Sequence, residues 1–275
     1  MQVTNELVSD SFQYMTRDKD ITERMEEVIL LDQILSFCQK IGEKVLYDDT
    51  FMEIEVSEGV CIRELLEYSS PELFSGEHRD EYSFLVEMIH KKCMLKAEDG
   101  DNRIFCSCGE HSGAASTLRE YVHFRQTFLE KIKKHDEFNS FMRTCFPNTT
   151  FSNECENELG YIKKFASHAK EITRMLAVLD ENAIEVYERC MPDSRKALAE
   201  IQALAKRECS NDPDHKDTMN FEFECDDKSV KSVECQPHLK LIRKDSDLRI
   251  YFYWKDANIG SGERVLIGRI GRHTW

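Results

Sequence analysis

Seven side chains near the C-terminus are of the types that metal-independent RNA chemistry uses: His238, Lys240, Arg249, Tyr251, Tyr253, Arg269 and His273. Cleaving an RNA phosphodiester without a metal needs a base for the 2′-hydroxyl, a cation for the charge on the phosphorane and an acid for the leaving oxygen. Histidine, arginine and tyrosine can fill those roles. Arg249, Tyr251 and His273 are the catalytic candidates. His238, Lys240, Tyr253 and Arg269 are candidate nucleic-acid ligands, because rings beside cations hold single strands by stacking and charge. Spacing alone does not make the seven converge. The plainer reading of the same residues is an ordinary hairpin with solvated arginines.

The element that must position them is a pair of β-prone runs, residues 248–254 and 264–273. They flank a loop, 255–263, that holds Asn258, Gly260 and Gly262. This pattern predicts an antiparallel hairpin. Side chains alternate between the faces of a strand. Ile250, Phe252 and Trp254 therefore share a face directed at a core, and Arg249, Tyr251 and Tyr253 share the opposite face, expected to meet solvent. Gly268 and Gly271 mark a bulge, a bend or a close backbone approach. From residue 238 onward eight basic side chains stand against four acidic ones, in a chain of formal net charge −15. A basic β patch on an acidic body is a local electrostatic feature. The overall acidity argues against unspecific coating of nucleic acid or anionic membrane, so nucleic-acid contact would be focused on that patch.

The chain has 275 residues, of which 41% are hydrophobic, enough for one large domain or two modest ones. No apolar run approaches the ~20 residues of a membrane span. The start of the chain is polar and acidic, unlike a signal peptide. Eleven cysteines are many, but the number is odd and they are scattered, which fits reduced cytosolic thiols better than a disulfide framework. The expectation is a cytoplasmic protein with no membrane partner.

Read in order, the chain is α+β. A mainly helical region with short strands covers 1–209, a polar linker covers about 210–217, and an antiparallel β-rich region covers 218–275. A long amphipathic helix is expected over about 20–46, followed by a strand at 51–56 whose inward residues are Met52, Ile54 and Val56. Helices are expected at 61–68 and 79–91, and a second hairpin pairs 93–97 with 103–108. Further helices cover about 114–143, 153–179, a segment from 182, and 194–209. The run 219–224 alternates as a strand, with Phe221 and Phe223 on one face.

Other chemistry is weaker. Cys93, Cys106, Cys108 and His111 are four soft ligands of the kind zinc takes tetrahedrally, but Cys-x-Cys is not the usual knuckle. Buried free thiols are expected there, with no zinc and no cofactor. Cys209, Cys225, Cys235 and His238 form a still looser set. The acidic side chains Asp80, Glu81, Asp99, Asp101 and Glu110 read as solvated loops. No nucleophile elbow, phosphate loop, zinc-protease helix or dinucleotide fingerprint occurs.

The tail reads His-x-Lys-Leu from His238, Arg-Ile-Tyr-Phe from Arg249, and Val-Leu-Ile-Gly-x-Ile-Gly-x-His ending at His273. It is similar to the closing segment of a family of uncharacterised bacterial proteins associated with phage defence and mobile elements. Residues 136–141 and 145–151 share that similarity. More distantly, the tail resembles the β core of RelE/HigB-like toxins, small ribonucleases of toxin–antitoxin systems. That resemblance implies that Arg249 and Tyr251 bind phosphate and RNA and that His273 is the acid or base. Two function classes follow. One is a defence or toxin–antitoxin-like component whose C-terminal β surface binds or cleaves RNA or another single strand. The other is a non-enzymatic helical adaptor that docks a protein partner encoded by a neighbouring gene.

Overall fold

The structure is a computed structural model, described over residues 5–7, 21–57, 59–68, 72–95, 115, 117–155, 159–211, 218–241 and 247–273. The fold is α+β. Its contacts divide the chain into two compact units, Met1–Phe124 and Arg125–Trp275.

The first unit is built on a small parallel sheet. Strand β1 (Asn5–Leu7) runs beside β2 (Val45–Tyr47), with Asn5 opposite Val45, and β2 runs beside a later strand at Cys93–Leu95. Parallel neighbours need a long crossover rather than a tight turn. Helix α1 (Ile21–Lys40) lies between β1 and β2 in the chain. It stops where Gly42 adopts φ +73° and the N–H groups of Gly42 and Glu43 return to the carbonyls of Gln39 and Cys38. A glycine in that left-handed region satisfies the last carbonyls of a helix. The expected helix to residue 46 is thus corrected: Val45, Leu46 and Tyr47 are β-prone and are drawn into the sheet between two partners.

The strand expected at 51–56 is corrected as well. Asp48 accepts from the N–H groups of Thr50 and Phe51, and this cap starts the short helix α2 (Asp49–Met52). The following strand β3 (Glu55–Ser57) pairs with β4 (Val60–Cys61). Helix α3 (Arg79–Lys92) leads directly into β5 (Cys93–Leu95). Cys93–Leu95 is therefore a parallel strand beside β2. The expected partner run, 103–108, lies outside the described residues. Val28, Leu35, Cys38, Phe51, Ile62, Leu85 and Ile89 fill the core of this unit. Tyr121, on α4 (Leu118–Leu129), donates its hydroxyl to Asn5 Oδ1 at 2.6 Å.

The second unit holds the C-terminal tail. Helix α5 (His135–Met142) is followed by strand β6 (Thr149–Phe151). Helix α6 (Ala169–Cys190) and helix α7 (Ser194–Ala205) come next, the latter capped by Asp193, which accepts from the N–H groups of Arg195 and Lys196. Strand β7 (Cys209–Ser210) leads toward a hairpin of β8 (Asn220–Glu224) and β9 (Val230–Glu234). Then come β10 (His238–Lys240), β11 (Leu248–Tyr253) and β12 (Val265–Arg272).

Five of these strands form one sheet in the order β6-β12-β11-β10-β7. The pair β11–β12 is antiparallel, as its alternation and loop require, and so are β10–β11 and β7–β10. Strand β6 adds to β12 in parallel, Phe151 opposite Ile267. Asp180 on α6 fastens that junction, accepting from the N–H of Asn148 at 2.8 Å and from the Thr149 hydroxyl at 2.7 Å.

Candidate nucleic-acid interface

Register decides what alternation left open. His238 pairs with Tyr251, and Tyr251 pairs with Arg269. Lys240 pairs with Arg249, and Arg249 with Gly271. Directly opposed residues point to the same side of a sheet. The N–H of His273, two residues beyond Gly271, donates to the carbonyl of Asp247, two residues before Arg249. His238, Lys240, Arg249, Tyr251, Tyr253, Arg269 and His273 therefore all share one face of the sheet. The rings of His238 and Tyr251 lie 5.3 Å apart, and those of His238 and His273 lie 6.3 Å apart, edge to face.

That face is not open to solvent along its whole length, which corrects the expectation for Arg249 and Tyr251. Tyr251 is 2% exposed, His238 3% and Arg249 8%. For Tyr251 the cause is the β8–β9 hairpin. Its inward residues Phe221, Phe223 and Val233 close over Tyr251 and Leu266 and form a separate apolar core, with Tyr253 packed beside it. The pairing of β11 with β12 slips between Tyr251 and Phe252, leaving Gly268 as the extra residue of a bulge. A side chain there would collide with Phe221. Strand β11 is thus buried on both faces: Ile250 and Phe252 on one, Arg249 and Tyr251 on the other. Lys240, Tyr253, Arg269 and His273 are half-buried.

The polar half of the face is organised by partners. His238 Nδ1 lies 3.2 Å from the carbonyl oxygen of Gln236 and Nε2 lies 3.1 Å from the Ser210 hydroxyl. A carbonyl only accepts, so Nδ1 carries the proton, and in the neutral ring Nε2 accepts from Ser210. Arg249 donates to the Leu248 carbonyl at 2.9 Å. Burial pulls its pKa down, opposed by Tyr251, Glu208 and Asp247. Lys240 pairs with Glu208. That hydrogen bond, with the charges of Lys240, Arg249 and His238, holds the Glu208 carboxyl below the usual range against desolvation. Chemically, the half-buried Lys240, Arg269 and His273 can meet a phosphodiester, the buried Arg249 adds positive potential beneath, and His273 can move a proton.

Glu208, Ser210 and Gln236 belong to this constellation and were not legible in the sequence. Residues 208 and 209 read as the end of a helix and Ser210 as linker. The two-residue strand β7 that carries Ser210 is too short to show alternation. Cys106, Cys108 and His111 lie outside the described residues. Among the described residues no three His, Cys, Asp or Glu side chains gather as a metal site requires, and no helix is long and apolar enough to cross a membrane. No protein-family model, curated protein or solved structure gives a significant match to this chain.

Proposed function

We propose that this chain is an RNA-directed component of a bacterial defence or toxin–antitoxin-like system, and that the basic face of its C-terminal sheet takes hold of the RNA backbone. The observation that carries this reading is the convergence of His238, Arg249, Arg269 and His273 on one face, where Arg269 and His273 are partly exposed. Arg269, His273 and Lys240 meet the strand first. Arg249, lying beneath, supplies positive potential to the same place. In a cleaving version of the reaction, His273 exchanges the proton and Arg249 offsets charge on the phosphorane. The net charge of −15 restricts such contact to this patch.

The test is fluorescence anisotropy of a labelled single-stranded RNA at several salt concentrations, together with expression in cells scored for growth and RNA integrity. Salt-dependent binding that Arg269→Ala weakens is the expected result. Absence of RNA binding at low salt would discard the reading.

A second reading has its own support. Arg249 and Tyr251 are 8% and 2% exposed, so the sheet is partly spent on internal packing. A non-enzymatic adaptor docking a partner encoded by a neighbouring gene fits that burial. Co-purification of such a partner, lost in rim variants that never bound RNA, would select it.

A further inference from the structure

Where β11 ends, beside the basic face, lies a cavity of about 430 Å3, within the range of small-molecule sites. Its aromatic walls are Tyr253 and the stacked pair Tyr187–Trp254, whose ring centroids are 5.2 Å apart at 15°. Tyr253 and Trp254 are consecutive and point to opposite faces. Both line the cavity, at the end of the strand.

The polar lining is selective. Among the described residues of its lining Lys231 is the one cation, and Asp256 holds that ammonium at 2.6 Å. Glu234, also in the lining, accepts from the Gln236 amide at 2.5 Å. The described lining therefore carries more negative than positive charge, which disfavours a phosphate or carboxylate. Gln236 and Asn211 present amide heads, each with donor and acceptor in one plane. Flat apolar walls beside planar amides suit a neutral heteroaromatic ring with donors and acceptors on its edge.

We propose that this cavity takes a nucleobase, presented either by a free nucleoside or by single-stranded RNA whose backbone lies on the adjoining basic face. The second presentation rests on the RNA reading above. Gln236 joins the two places: it lines the cavity while its backbone carbonyl orients His238. Two residues of extended chain span roughly 7 Å, so base cavity and phosphate face are close neighbours. The division of labour is a base in the aromatic, weakly acidic cavity and its phosphate on the basic sheet.

The experiment titrates the full chain with adenosine and with uridine, read by saturation-transfer NMR, and in parallel with a labelled single-stranded RNA, read by anisotropy. The variants are Tyr253→Leu and Gln236→Ala, each checked for folding by a thermal melt. If Tyr253→Leu fails to fold, Gln236→Ala carries the comparison. We expect at least one nucleoside to bind in the millimolar range, independently of salt because it is neutral, and each folded variant to weaken that binding about fivefold or more. Binding of nucleoside without binding of RNA would uphold the cavity and defeat the RNA reading. Binding of RNA with no nucleoside bound, and with both variants behaving as wild type, would uphold the RNA reading and overturn the cavity. Nucleoside binding unchanged in both variants would overturn it as well.

Discussion

The ring of Phe221 occupies the space that a side chain at position 268 would need. A Cβ built on Gly268 would stand 2.3 Å from Phe221 Cδ2. This contact seats the β8–β9 hairpin on the bulge of β12 and so covers the part of the face that Tyr251 occupies. Gly268→Ala must displace a buried ring, and overpacking of this kind costs about 1–3 kcal/mol. Urea denaturation is expected to show that loss. A stability equal to the wild type would mean that Phe221 relaxes freely. Phe221→Ala, which empties the same contact, is expected to cost about 3–5 kcal/mol.

Arg269 and Arg249 separate binding from folding. Arg269 is half-buried at the rim. Arg269→Ala is expected to weaken RNA binding uniformly across sequences and to lower the salt slope by about 1, with a smaller loss of stability than Arg249→Ala because Arg269 is less buried. Anisotropy over a salt series checks it. An unchanged slope would remove Arg269 from the phosphate contacts.

Arg249 behaves differently because it is 8% exposed and donates to the Leu248 carbonyl. Its replacement by Ala is expected to lower stability by about 1–3 kcal/mol, besides any effect on RNA. The denaturation midpoint must therefore be measured before loss of activity in Arg249→Ala is attributed to chemistry. A midpoint equal to the wild type would show that the burial is energetically idle.

Asp180 makes stability depend on pH. Burial raises its carboxyl to about 7, outweighing the hydrogen bonds from Thr149 and Asn148, which favour the ionised form. The unfolded carboxyl titrates near ~3.9, so the folded pKa is the higher one. The stability it contributes is fully present below the unfolded value and is lost as pH rises from about 4 through about 7. Asp180→Asn keeps an acceptor and removes the charge. Relative to wild type, the variant is expected to gain in urea midpoint between pH 5 and pH 8. A difference between the two proteins that does not change with pH would rule this out.

Cys155 is fully buried, and desolvation pushes its thiol up to about 12. Alkylation needs the thiolate. Peptide mass spectrometry after iodoacetamide treatment at pH 8 is expected to find Cys155 unmodified in the native protein and modified in denaturant. Rapid native labelling would indicate local opening around β6 and β12.

Much of the tail was legible because strand alternation is local. Arg249, Tyr251 and Tyr253 share a side whatever the rest of the chain does, and the loop after Trp254 returns the chain antiparallel. Phe221 and Phe223 announced a one-sided strand in the same way. Composition and periodicity likewise carried the α+β class. The tertiary structure alone decided the rest, because those decisions depend on residues far apart in sequence. The Thr149–Phe151 strand joins a partner more than a hundred positions later, and Val45 becomes strand because two parallel neighbours receive it. A two-residue strand has no period to read, so Ser210 and its bond to His238 stayed hidden. Whether Arg249 and Tyr251 met water could not follow from alternation, which assigns a side chain to a face but does not say what covers that face. Over Tyr251 the covering element is a separate hairpin, held by a glycine bulge whose value appears only when Phe221 packs on it.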